Sequence, residues 1–252
     1  MTHASSRLNL YREVWTVNES CGTFYAVGVG PGNPELLTRQ ACRILQSCPV
    51  IAAPRTNSGQ MLALDIARGA VALDGKTILP LAFTMSQDKT VRAEGYSAAA
   101  DCIAEKLNAG LDVAMVSLGD VSIYATAYYV LEVLRVQGYR TVMTPGVTSF
   151  SAVASRLGCS LTEMEQPLHI LPGSAGLDEA LVLPGTKVLM KSGSAIHETV
   201  AALTRHGMLE CAELVCDCSL PTEQVYRDLR ALPEQLSYFA TIVVHERSTT
   251  CR

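Results

Sequence analysis

The chain has 252 residues, of which 48% are hydrophobic and 17% charged, and its formal net charge is −4 at pH 7. This length predicts two modest hydrophobic cores, since domains run roughly 100 to 200 residues. The mild acidity without a basic run argues against a nucleic-acid partner, and no apolar run reaches the roughly 18 residues of a membrane span. We therefore expect a cytoplasmic protein with no nucleic-acid or membrane partner.

Strand and helix patterns alternate from the N-terminus. Residues 1–21 are polar and mixed, lack the hydrophobic middle of a signal peptide, and predict a loose extension. After a β-rich run at 25–29, Asn33 is placed to cap a helix that begins at Pro34 and whose apolar positions recur as far as Cys48. The other elements predicted in the first half are strands at 49–55, 112–120 and 139–146 and helices at 60–72, 89–109, 124–137 and 148–157.

The second half continues this alternation. Apolar runs predict strands at 168–173, 187–193, 212–218 and 238–246, with a helix at 195–205 and a turn at 220–222. Alternating strands and helices indicate an α/β fold with mostly parallel sheets flanked by helices. The continuous apolar run "DVAMVSLGD" is typical of a strand buried on both faces of such a sheet. We place an N-terminal α/β domain at 22–150 and a C-terminal α/β domain at 151–252.

The first predicted strand runs into a glycine loop, "GVGPGNPELLT". It does not match the dinucleotide fingerprint G-x-G-x-x-G, because Asn33 stands where the third glycine is needed after Gly28 and Gly30. Pro31 also lacks the N–H that a phosphate-binding loop would donate at that point. The loop is therefore a tight strand-to-helix turn of another kind, and not a phosphate site.

Four predicted strand ends carry glycine, proline or small hydroxyl residues, at 28–32, 118–122, 145–149 and 189–193. Ligands of open α/β sheets bind outside the carboxyl ends of the strands, so together these ends predict a ligand cleft. Turn formation alone explains any one of them. Asp120 can cap the following helix or accept hydrogen bonds from a ligand, and Arg55 can be a solvated surface charge or a clamp for carboxylates.

Nine cysteines, an odd number scattered through apolar segments, favour reduced thiols over a disulfide framework. The nearest approach to a metal motif, Cys211, Cys216 and Cys218, lacks the paired spacing of zinc sites. Four histidines have neither the spacing of metal ligands nor a nucleophile paired with them: His169, His197, His206 and His245. We therefore expect no metal site, and no Ser-His-Asp or Cys-His arrangement can be assembled from sequence neighbours.

Four ordered segments resemble the tetrapyrrole methylases: "FYAVGVGPGNPELLT", "VSLGDVSIYAT", "TPGVTSFSAVASRLG" and "TEQVYRDL". The resemblance covers about residues 22–246, nearly the whole chain. Within the family, "GDVSIY" and "CPVIAAPR" are similar to the branch that methylates ring carbon 20 of precorrin-2 or its cobalt chelate in cobalamin biosynthesis. Val121 stands where enzymes acting at other ring carbons tend to have proline, and Asn33 stands where family members often have aspartate.

The resemblance implies a two-domain α/β fold, a homodimer, and S-adenosylmethionine bound in the cleft between the domains. It implies cofactor contacts at Pro31, Leu118, Gly119, Asp120, Ile123, Thr148 and Ser149, with looser matches at Met190, Lys191, Pro221 and Thr241. It further implies substrate contacts at Gly30, Gly32, Arg55 and Tyr124. Because the implied tetrapyrrole carries many carboxylates, Arg55 and Lys191 are the candidates to hold its edges.

The implied chemistry is a direct displacement, in which an electron-rich ring carbon attacks the sulfonium methyl group. Such a reaction needs alignment and exclusion of water more than a protein nucleophile or a metal, which fits a sequence with no obvious candidate for either. The alternatives are a tetrapyrrole methylase acting at another ring carbon, a related RNA or protein methylase, and a binding module without turnover. The lack of a basic stripe disfavours RNA.

Overall fold

The computed structural model describes residues 20–84, 86, 88–173 and 176–246. Residues 1–19, and with them nearly all of the predicted extension, lie outside the described residues. The described chain forms two five-stranded sheets, the first from strands before residue 145 and the second from strands after residue 167. None of the described helices has both the length and the apolarity required to cross a bilayer.

The first sheet is parallel at every pairing, as the sequence predicts for an α/β fold. Its strands are β1 (Phe24–Gly28), β2 (Val50–Arg55), β3 (Thr77–Ala82), β4 (Val113–Ser117) and β5 (Thr141–Thr144). Their spatial order is β3-β2-β4-β1-β5. The helices of this half are α1 (Arg39–Ser47), α2 (Leu62–Ala70), α3 (Lys89–Asn108), α4 (Thr126–Val136) and α5 (Ser149–Leu157).

Helices on both faces explain why β4 is apolar along its whole length. On one face α3 and α4 contribute Ile103 and Leu134 to a core that includes Met115. On the other face α2 contributes Leu64 to a second core that includes Val116. Successive side chains of a strand point to opposite faces, so Val113–Val116 alternate between the two cores, and Ser117 at the end of β4 is also buried.

The sequence pattern does not predict β3, which lies at the edge of the first sheet. Its segment "TILPLA" contains Pro80, and among its residues only Leu81 is buried. Proline cannot donate to a strand ladder and is tolerated at sheet edges. The weak hydrophobic alternation of β3 is the consequence of this exposed position.

The first helical segment differs from the prediction of one continuous helix. Asn33 does act as a cap, accepting a hydrogen bond from the backbone N–H of Glu35 at 2.9 Å, but it caps only a short 3-10 helix, Pro34–Leu36. Leu37 is extended, and Thr38 then caps α1 by accepting from the N–H of Ala41 at 3.1 Å. The break passes unnoticed in the sequence because a 3-10 turn and an α-helix share the same start signals.

The second sheet is mixed, which differs from the prediction of mostly parallel sheets. Its strands are β6 (Leu168–Pro172), β7 (Thr186–Met190), β8 (Ala212–Cys216), β9 (Gln224–Tyr226) and β10 (Ala240–Val244), in the order β6-β7-β10-β8-β9. Only β6 and β7 pair in parallel. The helices here are α6 (Leu177–Leu181) and α7 (Ile196–Arg205). No described helix separates β8, β9 and β10, so these strands need no parallel crossover.

Helix α5 packs on the second sheet although it follows the last strand of the first. Val153 and Leu157 of α5 share a small core with Val215 of β8 and Val243 of β10. The boundary predicted between residues 150 and 151 therefore falls inside a helix that is joined to the second half. The division into two domains remains a prediction.

Candidate functional site

The carboxyl ends of three neighbouring strands of the first sheet meet through glycine backbones. A Cβ atom added to Gly146 would lie 2.2 Å from the carbonyl oxygen of Gly119, and one added to Gly28 would lie 2.7 Å from the same oxygen. Real Cβ atoms do not approach backbone this closely. The loops after β1, β4 and β5 can therefore touch only because Gly28 and Gly146 lack a side chain, while Gly119 is favoured by its positive φ of 72°.

The glycine-proline loop is held to the "LGD" loop by a two-residue bridge. The N–H of Gly119 donates to the carbonyl of Gly30 at 2.8 Å, and the N–H of Gly30 donates back at 3.2 Å. On its other side, Gly32 faces a turn from the second half of the chain, because an added Cβ there would lie 2.8 Å from the carbonyl oxygens of Cys218 and Ser219. This loop therefore contacts both halves of the chain, with Pro31 buried between these contacts.

Asp120 joins two of these loops and does not cap a helix. One of its carboxylate oxygens accepts from the N–H of Gly146 at 2.7 Å, and the other accepts from the N–H and the hydroxyl of Ser122. Burial by itself raises the pKa of this carboxyl, but the three hydrogen bonds together outweigh it and hold the pKa below its usual value. Helix α4 begins later, with Ala125 at its N-cap, so the capping interpretation of Asp120 is wrong.

The N-terminus of α5 points its free backbone donors at the same place. Thr148 is the N-cap residue, yet its hydroxyl bonds to the hydroxyl of Ser151 at 2.8 Å and caps no N–H. The N–H of Ser149 lies 3.9 Å from the position that a Cβ on Gly119 would take. At the end of β5, the hydroxyl of Thr144 is fully buried and has no hydrogen-bond partner among the described residues. A polar ligand group at this point would find unused donors.

Tyr124 and Lys191 link the two halves of the chain across the site. The Lys191 ammonium donates to the backbone carbonyl of Tyr124 at 2.9 Å, and the Tyr124 hydroxyl donates to the carbonyl of Ile170 at 3.1 Å. The ammonium also lies 5.8 Å from the ring centre of Tyr238. Burial lowers the pKa of Lys191. The sequence predicts that a helix starts at residue 124, but Tyr124 has a left-handed backbone and lies outside α4. In this conformation it makes the two contacts with the second half of the chain.

Left-handed backbone is concentrated in these loops. Among the described residues, five that are not glycine have positive φ: Tyr124, Met164, Lys191, Asp217 and Ser219. All except Met164 lie in the loops just described or in the turn that contacts Gly32. Such conformations cost roughly 1 to 3 kcal/mol each and tend to occur at functional sites.

We call the loops at 28–34, 118–124, 145–149, 190–193 and 217–222 the candidate cleft. Met190 and Thr241 are neighbours across the β7–β10 pairing and are buried beside Lys191. Leu118 and Ile123 are half-buried in the second loop. A cavity of about 420 Å³ adjoins it, lined by Ile123, Tyr124, Tyr128, Tyr129 and Ile170 among others. This volume lies within the range of small-molecule sites.

Two predicted residues are not brought into contact with the rest. Arg55 is exposed at the end of β2, on the same edge of the first sheet, and its side chain has no hydrogen bond or ion pair within the described part of the chain. Pro221 is exposed in the 217–222 turn, and it is its neighbour Leu220 that packs on the first half of the chain.

The sequence reasoning missed the residues that hold the loops in place. Glu223 accepts a hydrogen bond from the N–H of Ser219 at 2.8 Å and forms an ion pair with Arg156 of α5. Burial raises the pKa of Glu223, but these partners outweigh it and hold the pKa below its usual value. The sequence analysis placed Gly28 and Gly146 at predicted strand ends but assigned them no role. A close contact between two backbones gives no sequence signal other than the glycine itself.

The fold and the loops at its strand ends are those of a known family. The family model described as Tetrapyrrole (Corrin/Porphyrin) Methylases matches residues 23–233. This chain belongs to that family.

Among curated relatives, the chain is 32% identical to a cobalt-precorrin-2 C(20)-methyltransferase of Salmonella typhimurium, over 90% of this chain and 97% of the relative. It is 28% identical to a precorrin-2 C(20)-methyltransferase of a Sinorhizobium species, over 88% and 95% of the two chains. Among solved structures, it resembles a uroporphyrin-III C-methyl transferase of Thermus thermophilus complexed with S-adenyl homocysteine, with a TM-score of 0.64, 22% identity, and coverage of 88% and 97%.

The glycine contact can be tested with Gly146→Ala. The added methyl group would overlap the Gly119 carbonyl, so we expect a loss of roughly 1 to 3 kcal/mol in the free energy of unfolding, measured by denaturant titration. The matched control is Gly95→Ala in α3, where an added Cβ meets no atom within 4 Å. That change should stabilise by about 0.5 to 1 kcal/mol. Equal effects of the two substitutions would contradict the close contact.

The structural role of Asp120 predicts a pH-dependent stability difference. Asp120→Asn should cost roughly 1 to 3 kcal/mol at neutral pH, because an amide cannot accept all three hydrogen bonds. The folded-state pKa is depressed, so this contribution is present above the unfolded pKa near 3.9 and is lost as pH falls through the folded pKa. Denaturant midpoints of the wild type and variant should therefore converge in acid. Asp101→Asn, exposed on α3, is the control; a gap for Asp120→Asn that persists undiminished in acid would refute the assignment.

Proposed function

We propose that this protein is an S-adenosylmethionine-dependent methyltransferase that methylates carbon 20 of precorrin-2 or its cobalt chelate in cobalamin biosynthesis. The observation that carries the proposal is the match to the Salmonella C(20)-methyltransferase, which extends over almost the full length of both chains. The geometry of the candidate cleft supports it, since small-residue loops from both halves meet there beside the N-terminus of α5.

The candidate cleft fits S-adenosylmethionine in shape and in polar groups. The position that a Cβ would take on Gly119 is uncrowded, with the N–H of Ser149 at 3.9 Å, so a flat, polar part of a nucleoside can approach the backbone there. The free N–H groups at the start of α5 suit a carboxylate. When bound, S-adenosylmethionine supplies a methyl group activated by a positively charged sulfur.

The chain's own residues divide into two walls of this cleft. On the first half we assign cofactor contacts to Pro31, Leu118, Gly119, Ile123, Thr148 and Ser149. On the second half we assign them to Met190, Lys191, Thr241 and, in the more exposed turn, Pro221. Asp120 is assigned a positioning role, since its carboxylate is already occupied in holding the 118–124 and 145–149 loops together.

The substrate side is assigned to residues at the open edge of the cleft. A tetrapyrrole presents flat apolar faces and carboxylate edges. Tyr124 and its neighbours Tyr128 and Tyr129 offer aromatic surface for a face, and Arg55 is a cation without a partner in the described part of the chain. Gly30 and Gly32, which the resemblance assigns to the substrate, are both buried, and the missing side chain of Gly32 makes room for the turn at Cys218 and Ser219.

Catalysis by this arrangement consists of alignment and exclusion of water. The cleft residues would hold the ring carbon in line with the sulfonium methyl group, the cofactor would supply that methyl group, and the proton displaced from the ring carbon would pass to solvent. Rigid loops that hold both reactants in line supply the main rate gain for such a displacement. The loops here are held by backbone bridges, by Asp120 and by the ion pair of Arg156 with Glu223.

The test is a methyl-transfer assay with metal-free and cobalt-bound precorrin-2. We expect the product to gain one methyl group from labelled S-adenosylmethionine, seen by mass spectrometry, with the label at carbon 20 by NMR. A melting temperature raised by cofactor without methyl transfer would identify a binding module. Label at another carbon would assign the protein to a different branch of the family.

Variants connect the assay to the site. Lys191→Met leaves the Tyr124 carbonyl without its donor, so we expect kcat/KM to fall by about tenfold or more, equivalent to roughly 1.4 kcal/mol. Lys89→Met, at the exposed start of α3, should leave kcat/KM unchanged. Equal activities of the two variants would remove Lys191 from the site.

We further propose a homodimer in the cytoplasm, as the family resemblance implies. The nine cysteines are odd in number and scattered through apolar segments, which suits a reducing compartment. Sedimentation velocity on the full chain should give twice the mass of 27.0 kDa. A monomer at micromolar concentration would contradict the dimer.

A further inference from the structure

Three residues with metal-binding side chains meet at the edge of the second sheet opposite the candidate cleft. One ligand atom from each of Cys159, Glu213 and His245 lies within 4.8 Å of the other two. All three residues are half-buried. Thr186, at the start of β7, lines the adjoining cavity, whereas Met190, at the other end of β7, lies in the candidate cleft. The cluster therefore does not belong to the proposed methyl-transfer site.

Tertiary structure brings these residues together from separate elements. Cys159 follows α5, which ends at the left-handed Gly158. Glu213 lies in β8, and the β8–β10 pairing places it opposite Val243, two residues before His245. The N–H of His245 donates to the carbonyl of Cys211 at 2.9 Å, which fixes the backbone beyond the end of β10. No local spacing motif in the sequence could reveal this group.

The donor set is that of a zinc site. Thiolate, imidazole and carboxylate are the ligands that Zn²⁺ takes in proteins, with bond lengths of about 2.0 to 2.3 Å. In a tetrahedral site such ligand atoms lie about 3.5 Å apart, so side-chain rotations that shorten the longest separation by roughly 1 Å would close the site. Neither the Cys159 thiol nor the His245 ring is hydrogen-bonded to another of the described residues, so both are available.

The surroundings favour a cation and orient one ligand. The cavity beside the cluster, of about 500 Å³, is also lined by three further carboxylates, Glu163, Glu210 and Glu246. Arg227 forms an ion pair with Glu213 and donates to the carbonyl of Leu157 at 3.1 Å, which holds the carboxylate in position as an outer partner does in known sites. The Arg227 side chain is 61% exposed, so solvent screens its positive charge beside a bound cation.

We propose that Cys159, Glu213 and His245 bind one zinc ion, with water in the fourth position. Binding forms the sulfur–zinc bond as the thiol proton leaves to the buffer. The ion ties the end of α5 to β8 and β10 and so reinforces the contact between that helix and the second sheet. This proposal departs from the expectation, drawn from cysteine and histidine spacing alone, that the chain has no metal site.

The test uses the full chain after treatment with a chelator and removal of the chelator. Calorimetric titration with Zn²⁺ should show one equivalent bound per chain, and Co²⁺ should give a thiolate charge-transfer band with visible bands of four-coordinate cobalt. Cys159→Ser should abolish the charge-transfer band, and His245→Ala should weaken zinc binding by at least about tenfold. Cys102→Ser and His197→Ala, which alter residues elsewhere in the fold, should bind as the wild type does.

Circular dichroism of the metal-free variants establishes that they fold. If Cys159→Ser fails to fold, Glu213→Gln and His245→Ala decide by the same titration and cobalt spectrum. Absence of stoichiometric zinc binding in the wild type would overturn the proposal. Zinc binding that survives unchanged in the folded ligand variants would overturn it as well, because another thiol would then be the ligand.

Discussion

The contact between the backbones of Gly28, Gly119 and Gly146 is the constraint on which the candidate cleft depends. The carboxyl ends of β1, β4 and β5 are adjacent in a parallel sheet, so their loops must either diverge or pack backbone to backbone. The missing side chains of Gly28 and Gly146 permit packing against the Gly119 carbonyl, and the Asp120 carboxylate then links two of the loops by accepting from the N–H of Gly146. Loops that pack backbone to backbone are rigid, because neither can move without clashing with the other. This rigidity suits a reaction that depends on the alignment of two reactants.

The second half of the chain completes this surface through a small number of directional contacts. Gly32 meets the turn that contains Ser219, and Lys191 bonds to the carbonyl of Tyr124. Tyr124, Lys191 and Ser219 all have left-handed backbone, a conformation that residues other than glycine disfavour. The contacts between the two halves therefore hold these residues in strained conformations. The surrounding cores supply the stability that holds these conformations, which is the usual relation between a strained site and its scaffold.

Prediction from sequence succeeded where the physical signal is local or periodic. Buried β4, the cap at Asn33 and the loop glycines follow from hydrophobic runs and turn chemistry that neighbouring residues determine. It failed for β3, whose edge position weakens its pattern, and for the direction of the strands in the second sheet. Strand direction is invisible to a period-two pattern, because a strand presents the same alternation whichever way it runs.

The sequence by itself determined the α/β class, the loops that form the candidate cleft and the family, because each rests on residue types in order along the chain. Only the tertiary structure decided that Asp120 joins loops and caps no helix, that Lys191 reaches Tyr124, and that α5 packs on the second sheet. It also decided the meeting of Cys159, Glu213 and His245. These contacts join segments far apart in sequence, and their distances depend on strand register and packing, which no local pattern specifies.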